Sequence, residues 1–132
     1  GWGDVDWAGA WGVRTQGGAV ITRRASRRRR GEYAAGRGVD REAGIRIYDR
    51  VGAGNVEGGD FQIVEPGAVL IGYTGMRCEE VSAKQIGGWV EKERWEVHYA
   101  YIDPYYVHIG LMVCVIAPKC ASVCLETTPE HV

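Results

Sequence analysis

Proline is scarce, at 4 residues in 132, and no apolar run approaches the roughly 20 residues that a membrane-spanning helix needs. The first shortage excludes a Pro-rich linker; the second predicts no membrane partner. The N-terminus, Gly1-Trp2-Gly3-Asp4, has neither a basic patch nor an apolar core, so no signal peptide is read there. The four cysteines stand at 78, 114, 120 and 124. Their spacing matches neither a zinc finger nor a small secreted disulfide framework, which points to a reducing, cytoplasmic home. A dominant charge is also missing. The net charge is −1 and the pI about 6.3, against the domain-wide positive field of a dedicated nucleic-acid binder.

What is present fits an ordinary globular domain. Hydrophobic residues make up 45% and charged residues 25%, which excludes wholesale disorder. Glycine, at 20 residues, is about twice its average share and favours many tight turns; without a triplet period it is not collagen-like. One domain is expected over residues 1–132. There is no initiator Met, and the chain stops just after Thr128-Pro129-Glu130, so it reads as a fragment truncated at both ends.

Gly17–Thr22 reads as a short strand after a glycine turn. Residues 26–35 suit a helix with Ser26 as N-cap, and the alternation Ile45-Arg46-Ile47-Tyr48 suits a half-buried strand. A glycine-rich loop fills 51–60. Phe61–Val64 and Ala68–Gly72 then form a hairpin around Glu65-Pro66-Gly67. Glu79–Glu93 carries Val81, Ala83, Ile86, Trp89 and Val90 on one helical face, although Gly87-Gly88 weakens that helix by about 1 kcal/mol per glycine. Trp95–Tyr101, Leu111–Ile116 and Ala121–Leu125 are further strands. Hairpin, helix and returning strand recur loosely over 11–49 and 61–100, so the class is α/β with about two units and part of a third.

Several residues could carry chemistry. In Glu57-Gly58-Gly59-Asp60 the glycines allow a sharp turn with positive φ and close ligand approach, and a carboxylate at Asp60 can receive a guanidinium bidentately. The plainer reading is a turn whose Asp caps backbone N–H groups. His108 could move protons near neutrality, or be a hydrogen-bonded core histidine. Arg77, after a turn, could fork onto a carboxylate or stay solvated. The cluster Arg23, Arg24, Arg27–Arg30 could neutralise phosphates, but no aromatics are interleaved and Glu32 follows, so a charged helix face is preferred. Cys114, Cys120 and Cys124 lie in or beside apolar strands and are expected to pack as small hydrophobes with inert thiols.

Taken in order, Gly18-Ala-Val-Ile-Thr-Arg23 with Arg29-Arg30-Gly31-Glu32, Glu57-Gly-Gly-Asp60, Val69-Leu-Ile-Gly72 with Arg77, and His108 leading into Leu111–Ile116 resemble the guanidino-group-modifying superfamily. Its members are arginine deiminases, dimethylarginine dimethylaminohydrolases and amidinotransferases. The resemblance covers residues 11–127. It implies a partial α/β propeller (pentein-like) of ββαβ modules, two to three of five being present. It also implies attack of a Cys thiolate on a guanidino carbon, through a covalent thiouronium intermediate, with no metal or organic cofactor. His108 matches the catalytic acid/base, Asp60 the guanidinium-binding carboxylate with Glu57 beside it, and Arg77 a substrate-carboxylate anchor. The partner implied is a small guanidine, with no nucleic acid and no membrane.

Three departures stand out. The family's His-Leu-Asp ends here in Gly110, and losing a charge-assisted contact to a desolvated cation costs about 1.5–3 kcal/mol. No Arg-Asp pair precedes the first glycine strand near Gly9-Ala10. No Cys occupies the nucleophile's position, so the chain alone is expected to be inactive. The alternative is a non-catalytic guanidine-binding module.

Overall fold

A computed structural model describes residues 6–7, 12–15, 18–23, 42, 44–124 and 126. Four strands form the first sheet: β1 (Asp6–Trp7), β2 (Gly12–Thr15), β3 (Gly18–Ile21) and β4 (Ile47–Arg50), in that spatial order. β2 and β3 are antiparallel, whereas β4 joins β3 in parallel. The second sheet repeats this plan. β5 (Phe61–Glu65) and β6 (Ala68–Tyr73) form an antiparallel hairpin, helix α1 (Glu80–Lys92) follows, and β7 (Glu96–Tyr101) returns parallel to β6. A last hairpin joins β8 (Val113–Ala117) to β9 (Cys120–Val123). The repeat read in the sequence is therefore present as strand topology, hairpin and then parallel return. The expected helix over 26–35 lies outside the described residues, apart from which the class is mixed α/β.

β6 holds the second unit together. Residues 68–72 are all buried, and an apolar strand of that kind must be covered on both faces. Val69 and Ile71 point into a core shared with Phe61, Ala83, Ile86 and Val90, which is the side roofed by α1. Leu70 points the other way, into a core with Ala100, Ile102, Ile109 and Met112. Each fully buried Ile or Val contributes about 1.5–3 kcal/mol relative to exposure, so the two-sided burial of β6 outweighs the weak propensity of a glycine-bearing helix. The hairpin turns at Gly67, whose φ of +93° suits a residue without Cβ.

Several boundaries differ from those expected. β4 begins at Ile47 rather than Ile45, because the parallel register pairs Ala19 with Ile47 and Ile21 with Arg50. Leu111 is not in β8: it closes a 3-10 turn over Ile109–Leu111 and is 72% exposed. On α1, Val81 is half exposed, while Ser82 and Gly87 are buried. Gly87 has a reason the sequence does not reveal: the Tyr99 hydroxyl lies 1.9 Å from where its Cβ would be. The core packing expected of three cysteines is overturned. Cys114, Cys120 and Cys124 are exposed: along β8 buried or half-buried residues alternate with exposed ones, Cys114 among the latter, and every residue of β9 is exposed; Cys78 is the buried one. No described helix is long and apolar enough to cross a membrane.

Candidate active site

Two short 3-10 turns meet beside β5 and β6, Gly58–Asp60 and Ile109–Leu111. The first is closed by the Asp60 N–H donating to the Glu57 carbonyl, 3.1 Å. The glycines there do not take positive φ, contrary to expectation. What position 59 requires is close approach, because the His108 ring lies where a Cβ would be, 2.8 Å from its Cγ. Gly72 plays the same part for Ile109, whose Cβ would sit 2.6 Å from an added Cβ. Two positions without side chains thus form the floor on which residues 108–109 rest.

Asp60 is fully buried and Glu57 is 5% exposed. Nδ1 of His108 lies 3.0 Å from Oδ1 of Asp60, a hydrogen bond in which the ring nitrogen donates. Nε2 lies 3.6 Å from Oε2 of Glu57. That second distance gives electrostatic attraction but is too long for a hydrogen bond. The imidazole thus sits between two carboxylates, hydrogen-bonded through one nitrogen and facing Glu57 with the other. Its pKa is raised above 6.5, chiefly by the bond to Asp60 and secondarily by the charges of Asp60 and Glu57, against burial and Arg77. Burial pushes the Asp60 carboxyl up from 3.8, opposed by His108. Both shifts favour retention of a proton within the pair. Oδ2 of Asp60 is buried and has no hydrogen-bond donor among the described residues.

The structure therefore brings Asp60, Glu57 and His108 into one cluster. Arg77 is exposed on the turn after β6, near enough for its charge to lower the His108 pKa. Arg23 donates to the Gly52 carbonyl at 3.2 Å; the rest of the arginine run lies outside the described residues. His98 is a surface group 3.3 Å from Glu96. Gly110 is packed closely: an added Cβ would be 2.6 Å from Nε2 of Gln62 and 3.1 Å from the Gly59 carbonyl. Among the described residues, no three His, Cys, Asp or Glu side chains are grouped to hold a metal ion. The Cys78 thiol is pushed far up by burial and by the field of Asp60, and it is hydrogen-bonded to Ser82. Such a thiol is not a poised nucleophile.

No family model and no curated protein matches the sequence. Solved structures do match. A dimethylarginine dimethylaminohydrolase, solved as the S-methyl-L-thiocitrulline adduct of a His-to-Gly variant, is 26% identical, with a TM-score of 0.60; the match covers 74% of this chain and 38% of that one. The N-terminal domain of ArgZ, a cyanobacterial arginine dihydrolase, has a TM-score of 0.79 at 20% identity, covering 95% and 46%. SxtG, an amidinotransferase of saxitoxin biosynthesis from Microseira wollei, has a TM-score of 0.75 at 13% identity, covering 92% and 43%. The chain has the fold of the guanidino-modifying superfamily. The resemblance in the sequence and the α/β strand plan lead to the same group of proteins. Within that fold the chain spans less than half the length of each of these three structures.

Sequence reasoning did not single out Glu79, Ser82 and Gln85, which bind the loop leading into Glu57. Their polar types on a helix face carried no signal, because the partners are backbone groups of a distant loop.

Proposed function

We propose that this chain supplies the guanidinium-binding and proton-transfer side of a Cys-dependent enzyme acting on arginine or a related guanidine. The reaction is hydrolysis or transfer at a guanidino C–N bond, with the attacking thiolate coming from outside these 132 residues. The observation that carries this reading is the Asp60–His108 contact of 3.0 Å, with the second Asp60 oxygen buried and, among the described residues, without a donor. A guanidinium offers planar N–H donors and keeps its charge beyond about pH 12, so a desolvated carboxylate is its natural partner. Arg77, exposed at the rim, serves as anchor for the carboxylate of an amino-acid guanidine.

In the reaction, the thiolate adds to the guanidino carbon. The C–N bond then breaks as the departing nitrogen takes a proton, leaving a thiouronium ester. His108 is suited to give that proton: Nδ1 is fixed by Asp60, Nε2 lies 3.6 Å from Glu57, too far for a hydrogen bond, and its neighbours raise the pKa of the ring, which favours the protonated form. The same imidazole, now neutral, accepts a proton from the incoming water, which is our preferred acceptor; the sulfur then leaves as thiolate. The activities named for the three relatives, two hydrolases and a transferase, support this chemistry.

Gly110, which stands where the resemblance expects a second carboxylate and is packed against Gln62 and the Gly59 carbonyl, favours a second reading, a guanidine-binding module without catalysis. Measurements on the complete protein separate the two. Under the first reading Asp60→Asn weakens arginine or methylarginine binding about 10- to 100-fold, the range for losing a charged hydrogen bond. His108→Ala lowers kcat by about 10²–10⁴-fold with little change in binding. Binding without turnover in the unmutated protein establishes the second reading. Calorimetry that detects no heat with arginine or its methylated forms removes both.

A further inference from the structure

The loop over residues 51–56 carries the chain from β4 to Glu57, and most of its polar backbone is bound by another element. Oε1 of Gln85 accepts from the Gly52 and Ala53 N–H groups at 2.9 and 3.4 Å. Nε2 of the same side chain donates to the carbonyls of Ala53 at 3.0 Å and Val81 at 3.1 Å. Glu79 stands at the N-cap of α1, yet its carboxylate does not cap that helix. It accepts from the Asn55 N–H at 2.7 Å, and the Glu79 N–H donates to the Asn55 carbonyl at 2.9 Å. The Ser82 hydroxyl also donates to that carbonyl. On the far side, the Val56 N–H donates to the Arg23 carbonyl at 2.7 Å. Immediately beyond these bonds come Glu57, the 3-10 turn and Asp60.

We propose that Glu79 and Gln85 are positioning residues, which hold the 51–56 loop in the one conformation that presents Glu57 and Asp60 to His108. The inference rests on the proposed role of that carboxylate pair. A glutamate is a poor N-cap beside Asp, Asn, Ser or Thr, so helix stability does not account for Glu79 at this position. Gln85 uses both ends of its amide on a loop more than 30 residues distant in sequence, where a residue serving only its helix would face solvent. The path from α1 to His108 runs through hydrogen bonds and a five-residue stretch closed by its own turn. Loosening its start lengthens the Asp60–His108 contact at its end.

The test is the titration of His108 by NMR in the full chain, without any guanidine present. Asp60, Glu57 and Arg77 are the charged groups that His108 senses. Gln85→Ala and Glu79→Ala are expected to lower its midpoint by about half a pH unit or more. Glu79→Gln keeps an acceptor for Asn55, and its His108 is expected to titrate like the parent's. Alanine variants that remain folded by circular dichroism and titrate as the parent overturn the proposal. If Glu79→Ala does not fold, Gln85→Ala decides alone, since that side chain is partly exposed. The expected shifts in a protein that binds no arginine would overturn the proposed function and leave the positioning role standing.

Discussion

Gly59 has no side chain, and an added Cβ would stand 2.8 Å from Cγ of His108 and 2.9 Å from its Cδ2. Those atoms are the root of the imidazole, not a flexible tip, so the ring must move bodily to admit a methyl group. Gly59→Ala is therefore expected to destabilise the chain by about 1–3 kcal/mol, the usual cost of overpacking. It should also shift the His108 midpoint down, because the moved ring lengthens its bond to Asp60. Urea unfolding together with the His108 titration checks this; a variant unchanged in both would mean that the ring does not rest on position 59. The same residue-scale geometry bears on Gly110. Gln62 and the Gly59 carbonyl occupy the approach to any side chain there, so placing the family's carboxylate at 110 demands that Gln62 move first. The departure at this position is thus matched by its neighbours and is not an isolated gap.

At the scale of elements, α1 carries two adjacent glycines that differ in kind. Gly87 faces β7, with the Tyr99 hydroxyl 1.9 Å and Val97 Cγ1 3.1 Å from a would-be Cβ, while nothing lies within 4 Å at Gly88. Gly88→Ala should stabilise the chain by about 1 kcal/mol through helix propensity. Gly87→Ala should destabilise it by about 1–3 kcal/mol, overpacking outweighing the same propensity gain. Denaturation midpoints moving in the same direction for both would show that α1 does not seat on β7 as described. This pair also marks what a sequence reveals. The hairpin 61–73, the helix and the return strand were legible because alternation, a Pro-Gly turn and helical spacing are local. The reason for Gly87 was not, since Tyr99 comes into contact only after β7 pairs with β6. Asp60 and His108 were legible as a motif and a resemblance, but their 3.0 Å contact spans 48 residues. The exposure of Cys114, Cys120 and Cys124 was misread because an apolar strand implies a covered face without saying which chain segment covers it.

Among the described residues, every group whose pKa departs from its ordinary value is raised. The pKa of Asp60 is raised from 3.8 by burial, that of His108 from 6.5 by its bond to Asp60, and that of Cys78 from 9.0 by burial. A raised pKa means that the folded chain holds a proton at a pH where the unfolded chain has released it. Unfolding then releases protons, and stability falls as pH rises through each window. The contribution of His108 is complete below about pH 6.5 and is lost as pH passes its higher folded value. The Cys78 penalty begins near pH 9.0, where the unfolded thiol ionises and the buried one does not. Asp60 adds a fall of the same sign beginning near pH 3.8. Urea midpoints measured from pH 5 to 10 should therefore decline in two separable steps. His108→Gln should remove the first and spare the second; Cys78→Ala should do the reverse. A parent chain that gains stability between pH 6 and 8 would show that the imidazole is not paired with a carboxylate in the folded state, and the acid proposed for the reaction would lose its physical basis.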